Sequence, residues 1–349
     1  MVVAGLGAGC GGSSDTQSTP LPTPTVSAGG AFEYAGITHV SWWHDEYGYG
    51  EASTSRSHLA TTGVGWAGVL VTWYMDRRDS SSIAPHAQRT PSDDVLRVAI
   101  DEMHELGLKV MLKPHVDVLD GAWRGTIRPA DAGAWFASYA AYVNHVAALA
   151  QERGVEMLSV GTELVTMSGA PHAAAWAGVI AGVRARYGGP LTYAANANEP
   201  GDEFTSVSFW PHVDFLGLDV YTPLTGKTNP TLAELVTGWR RNRYGHDMVA
   251  AYRNWQAAWG KPVLFTEIGY RSADGTNLAP WDFQAAANPD PGEQADCFRA
   301  AYDVWSPESA WMKGLFWWSW SVPVPGPGDT DYNPRGKPAE SVIRLFQGR

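Results

Sequence analysis

Two apolar runs in this chain end in a lone carboxylate: Leu158-Ser159-Val160-Gly161-Thr162-Glu163 and Pro262-Val263-Leu264-Phe265-Thr266-Glu267. A strand that delivers one acid at its end can aim it into a cleft. Two acids flanking a single bond are what glycosidic cleavage needs: one protonates the leaving oxygen, and the other attacks the anomeric carbon or activates water. Either glutamate alone also fits a solvated strand end or an ion pair; their matched placement favours chemistry. No His-Glu-x-x-His or comparable ligand spacing accompanies them, so neither a metal nor another cofactor is expected.

What must position the pair is a strand-then-helix rhythm that begins at Ala35. Strands are predicted at 36–41, 66–72, 109–115, 156–161, 191–195, 215–220, 262–266 and 314–320. Helices are predicted at 93–106, 131–152, 173–186, 248–259, 293–305 and 339–346. The first of these has Pro91 in its first turn, Val95, Val98 and Met103 among its apolar positions, and Gly107 as its stop. Eight strands alternating with helices can close on themselves, whereas an open doubly wound sheet usually stops near six. The expected fold is an α/β chain closed as a (β/α)8 TIM barrel. Glu163 then ends the fourth strand and Glu267 the seventh, face to face at the mouth where such barrels build active sites. No Gly-rich phosphate loop follows the first strand, which argues against a nucleotide site.

At 349 residues, 44% hydrophobic and 17% charged, the chain can bury one large core. A formal charge of -11 disfavours nucleic acid and anionic membrane surfaces as partners and leaves a neutral polymer. The 17 Trp, 14 Tyr and 10 Phe could stack on sugar rings, although core packing claims the larger share. Cys10 and Cys297 sit in unlike contexts, so no disulfide scaffold is expected, and Cys297 should pack in a helix as a small hydrophobe.

Residues 1–12 read as the remnant of an export signal whose small residues precede Cys10, a candidate lipid anchor, although Gly7 stands where a lipobox usually has Leu. Residues 13–31, rich in Ser, Thr, Pro and Gly, read as a disordered tether, and 32–349 as one catalytic domain. The expectation is an extracellular or cell-surface monomer.

Glutamates ending the fourth and seventh strands resemble those of the clan A glycoside hydrolases. Several segments are similar to one family of that clan, glycoside hydrolase family 113, known for endo-β-1,4-mannanases: Gly36 to Trp42, Leu112-Lys113-Pro114-His115, Val160 to Leu164, Phe265 to Tyr270, and the tail from Trp317-Trp318-Ser319-Trp320 through Asp329 to Tyr332 and Gly336 to Glu340. The resemblance implies a retaining mechanism on a β-linked polysaccharide or oligosaccharide. Glu163 would be the acid/base, kept protonated by burial and the field of Glu267, and Glu267 the nucleophile. Thr162 stands where many clan members have Asn, which leaves the 2-hydroxyl contact unassigned.

Supporting residues follow from strand ends. Tyr221 is placed to bond the nucleophile. Lys113 and His115 share parity on the third strand and would reach substrate hydroxyls. Asn196 and Asn198 either bond hydroxyls or shape a turn. Trp318 and Trp320 share parity with Phe316, and one of them, with Trp318 preferred, would floor the subsite of the attacked sugar. Trp42, Trp43 and Trp73 are placed to line outer subsites, while His44-Asp45-Glu46 reads as an exposed loop cluster. Two alternatives stand beside the mannanase: another clan A β-glycanase acting on glucan or xylan, and a sugar-binding lipoprotein without turnover.

Overall fold

The structure, a computed structural model, describes residues 30–348, so the signal reading, Cys10 and nearly all of the tether lie outside the described residues. The elements follow in order: β1 (Tyr34–His39), α1 (Gly50–Thr61), β2 (Trp66–Met75), α2 (Asp93–Glu105), β3 (Lys109–Val118), α3 (Ala132–Glu152), β4 (Met157–Thr162), α4 (Ala173–Arg184), β5 (Leu191–Asn196), β6 (Leu216–Val220), α5 (Leu232–Arg240), α6 (Met248–Trp259), β7 (Val263–Ile268), α7 (Pro291–Trp305), β8 (Met312–Trp320) and α8 (Pro338–Phe346). The strands pair in sequence order and close, β8 on β1, as a parallel eight-stranded barrel. This is the (β/α)8 TIM barrel that the alternating runs predict.

Two helices escape the sequence reading. α1, Gly-Glu-Ala-Ser-Thr-Ser-Arg-Ser-His-Leu-Ala-Thr, buries Ala52, Ser55, Arg56 and Leu59, a face too small and polar to show as an apolar stripe. α5 opens on a capping box between Thr231 and Glu234, a legible signal in a helix of only nine residues. α2 starts after its cap Ser92, so Pro91 lies outside the first turn; Leu96, Ala99, Ile100 and Met103 form its buried face, and Val98 is exposed.

Strand alternation divides the core into two layers. Trp66, Met111, Met157, Phe215, Leu264 and Phe316 fill the interior of the barrel, while Val110, Leu112, Leu158, Val160, Phe265, Leu315 and Trp317 point outward against the helices. Cys297 is buried and unpaired in α7 among these outer contacts.

The alternation fails where the site begins. Between β4 and β5 the register runs Ser159↔Thr192 and then Thr162↔Ala194. Between β6 and β7 it runs Leu218↔Phe265 and then Asp219↔Glu267, leaving Thr266 as an extra residue. Between β1 and β8 it runs Thr38↔Trp318 and then His39↔Trp320, with Ser319 extra and the Trp318–Ser319 peptide cis. An inserted residue re-aims the side chains that follow it. Thr266 lies on the interior parity of Leu264, yet Glu267 also faces the mouth because of this insertion.

Candidate active site

Glu163 follows β4 directly, with φ of 51°, the only positive φ outside glycine among the described residues. Its turn depends on Gly161. A Cβ there would lie 2.3 Å from the Tyr139 hydroxyl, which donates to the carbonyl of Val160 at 2.6 Å. Glu163 is 8% exposed, and both oxygens meet donors. Asn196 Nδ2 donates to Oε1 at 3.1 Å; Arg124 Nη1 and Trp123 Nε1 lie 3.1 and 3.3 Å from Oε2. Arg124 is itself anchored on Asp117 at 2.5 Å.

Glu267 sits deeper, within the end of β7, and is 4% exposed. Lys113 Nζ donates to its Oε1, and the Tyr221 hydroxyl donates to Oε2 at 2.6 Å. The same ammonium donates to both oxygens of Asp219 at 3.1 and 3.0 Å, and the Thr266 hydroxyl donates to Asp219 at 2.7 Å. Asn196 is level with Asp219, and Asp219 with Glu267, so the ring of polar groups occupies one storey of the barrel.

One buried cation cannot balance two buried carboxylates. Burial alone would raise Glu267, but the Lys113 ammonium outweighs that and holds Glu267 well below the usual carboxylate range. Burial and the charge of Glu267 push Asp219 far above that range despite Lys113. Burial, helped by Arg124, pushes His115 down to about 4, leaving a neutral imidazole. Its Nε2 is 3.6 Å from Glu267, beyond hydrogen-bond reach, and its ring lies parallel to Trp318 with centroids 6.0 Å apart.

Several sequence expectations need correction. Lys113 and His115 are 0% and 1% exposed, so neither is free to reach substrate hydroxyls; both face Glu267 instead. Trp320 is also 0% exposed and donates to Ser55 of α1, because the extra residue in β8 turns it outward. Trp73 stacks on Tyr142 of α3 at 4.8 Å, outside the barrel. Glu46 is buried and accepts the Trp42 N–H at 2.7 Å, so His44-Asp45-Glu46 is only partly an exposed cluster.

Other expectations find their places. Tyr221 bonds Glu267 as anticipated. Trp318 remains partly open and meets the exposed Trp42 edge-on at 6.2 Å, giving an aromatic wall that continues from the His115 ring. Asn196 turns to Glu163, while Asn198 shapes the turn by accepting the Tyr221 N–H at 2.6 Å. Thr162 donates to the carbonyl of Pro114 at 3.1 Å and is buried.

Asp219, Arg124 and Trp123 join the site without a place among the sequence expectations. A charged residue in Leu216-Gly-Leu-Asp-Val220, opposite a lysine in Met111-Leu-Lys113, was a readable sign of a buried pair; a loop arginine and tryptophan gave none. Among the described residues, Asp274, Asp290 and Glu293 bring ligand atoms within 4.8 Å of one another, but Glu293 already accepts the N–H groups of Gly275 and Asn277, which shapes their loop.

The family model for glycoside hydrolase family 113 matches residues 39–337. A GH113 β-mannanase from Alicyclobacillus acidocaldarius, solved in complex with ManMIm, is 31% identical, with 91% of this chain and 99% of that one covered and a TM-score of 0.80. Two structures of GH113 β-1,4-mannanase are each 26% identical, covering 90% of this chain and 98% and 99% of theirs, with TM-scores of 0.77 and 0.79. No curated protein sequence matches. The match over most of the chain and the barrel built around two strand-end glutamates agree: this chain belongs to glycoside hydrolase family 113 and is a glycoside hydrolase.

Proposed function

We propose that the chain is a retaining endo-β-1,4-mannanase in which Glu267 is the nucleophile and Glu163 the acid/base. The observation that carries the assignment is the unequal setting of the two acids. Glu267 is held ionised by Lys113 and oriented by Tyr221, as an attacking carboxylate must be. Glu163 is the more exposed of the two and meets Arg124, Trp123 and Asn196 from the loops and the neighbouring strand in place of a lysine; as the acid/base it gives its proton to the glycosidic oxygen. Glu267 forms a bond to C1 as the bond from C1 to the leaving oxygen breaks. Glu163, now a base, takes a proton from water that attacks C1 and frees Glu267, so two inversions give retention.

The choice of mannan rests on the β-mannanases named above, and an extracellular or surface location on the export-like start around Cys10. Incubating residues 31–349 with matched β-1,4-linked manno-, gluco- and xylo-oligosaccharides, with the anomeric protons followed by NMR, tests the reading. Preferred cleavage of the mannose series with β product released first is expected. An α first product would remove the retaining mechanism, and preference for another series would change the substrate alone.

A further inference from the structure

The loop after β5 carries a buried carboxyl that the steps above do not use, on the first of its two 3-10 turns, Glu203–Thr205. Glu203 is 3% exposed. Its Oε2 accepts the backbone N–H of Asn196 at 2.8 Å, and its Oε1 accepts the Tyr193 hydroxyl at 2.6 Å. The Tyr193 oxygen in turn accepts the N–H of Leu164 at 2.7 Å. Both arms end beside Glu163. Asn196 holds one carboxylate oxygen of Glu163 through Nδ2, and Leu164 is the residue that follows Glu163 in the chain.

The direction of these hydrogen bonds fixes what must stand at 203. Because the Tyr193 oxygen is occupied by Leu164, its own proton must go to an acceptor; Asn196 N–H needs an acceptor too. A carboxylate accepts on both oxygens, whereas an amide presents one acceptor and one donor. The cost of the arrangement is visible, since burial pushes Glu203 up to about 7 against the bonds from Tyr193, Asn196 and Ser168. The backbone beside it is also strained, for a non-glycine residue at positive φ persists only where its surroundings over-determine it. Tyr193 and Asn196 are those surroundings.

We propose that Glu203 is a positioning residue for the acid/base, holding the turn of Glu163 through Tyr193 and the aim of its carboxyl through Asn196. This rests on the reading of Glu163 as acid/base. A group that serves only proton donation matters when the leaving group is poor and not when it is good.

The test therefore compares two substrates in the full chain: a β-1,4-manno-oligosaccharide, and a 2,4-dinitrophenyl β-mannobioside whose phenolate departs unprotonated. For Glu203→Gln and for Tyr193→Phe, kcat/KM should fall on the order of 10- to 100-fold on the oligosaccharide and less than about threefold on the dinitrophenyl glycoside. Equal losses on both substrates, or no loss on either, would overturn the proposal and leave Glu203 as ordinary loop support. Should Glu203→Gln fail to fold, Tyr193→Phe decides, because it keeps the ring and removes only the relay. Glu163→Ala, run alongside, separates the two readings: without a substrate split there, the acid/base assignment itself fails, whatever Glu203 does.

Discussion

Lys113 Nζ lies 3.0 and 3.1 Å from the two carboxylate oxygens of Asp219, inside the barrel and closed to solvent, while also donating to Glu267. The triad of one ammonium and two carboxyls is unequal: Lys113 holds Glu267 low against burial, while burial and the charge of Glu267 raise Asp219. The ion pair therefore acts less as a stabiliser of the fold, for which an apolar pair would serve as well, than as a means of keeping one acid charged away from water.

Replacing Lys113 by Met should lower kcat/KM about 10²- to 10³-fold and move the acidic limb of its pH profile upward. The sign follows from burial, which alone raises Glu267 and is opposed chiefly by Lys113. Asp219→Asn should lower kcat/KM more than about tenfold, since both Asp219 oxygens accept and an amide would turn a donor onto Lys113 or Thr266. A smaller loss in Asp219→Asn would mean that one of its oxygens already carries a proton. Steady-state kinetics from acid to neutral pH decides.

Tyr221→Phe removes one charged hydrogen bond and little volume. Such a bond is worth about 1.5–3 kcal/mol, so kcat should fall about 10- to 100-fold. KM should move little, because the hydroxyl faces Glu267 and not the open cleft. A change confined to KM would place Tyr221 on the substrate instead.

The two tryptophans of β8 should separate cleanly. Trp318→Ala is expected to raise KM about three- to tenfold for short oligosaccharides with little effect on the melting temperature. Trp320→Ala should instead cost about 3–5 kcal/mol of stability, because it empties a buried site against α1. Thermal unfolding and KM measured on both variants test the outward turn of Trp320.

The barrel and its two glutamates could be read from the sequence because each rests on local pattern: apolar runs at regular spacing, ending in an acid. Trp320 could not be placed, because strand parity holds only until a register insertion, and nothing in Trp317-Trp318-Ser319-Trp320 marks Ser319 as extra. Lys113 is legible as a strand-end cation, but its task is not. Its burial depends on Asp219, 106 residues away, and only closure of the barrel makes them neighbours. Arg124 and Trp123 reach Glu163 from an irregular loop, where neither period nor cap reports direction.

Acid stability offers a last test of what the barrel buries. His39, at the end of β1, is pushed down to about 3 by burial first and then by Arg56, and His115 to about 4. Each therefore binds fewer protons in the folded chain than in the unfolded one, whose reference value is 6.5. Their contribution to stability is complete above about pH 6.5 and is lost as the pH falls towards 4 and then 3. Several kcal/mol is an upper bound for His39 alone. Glu203 acts in the opposite sense: raised to about 7 from 4.5, it binds extra protons when folded, and its contribution declines as the pH rises between those values. Melting curves of the parent chain and His39→Gln between pH 4 and 8 should converge toward acid, with the parent falling more steeply below pH 6.5. Parallel curves across that range would mean that His39 is protonated in the folded barrel, and that the space around it admits water.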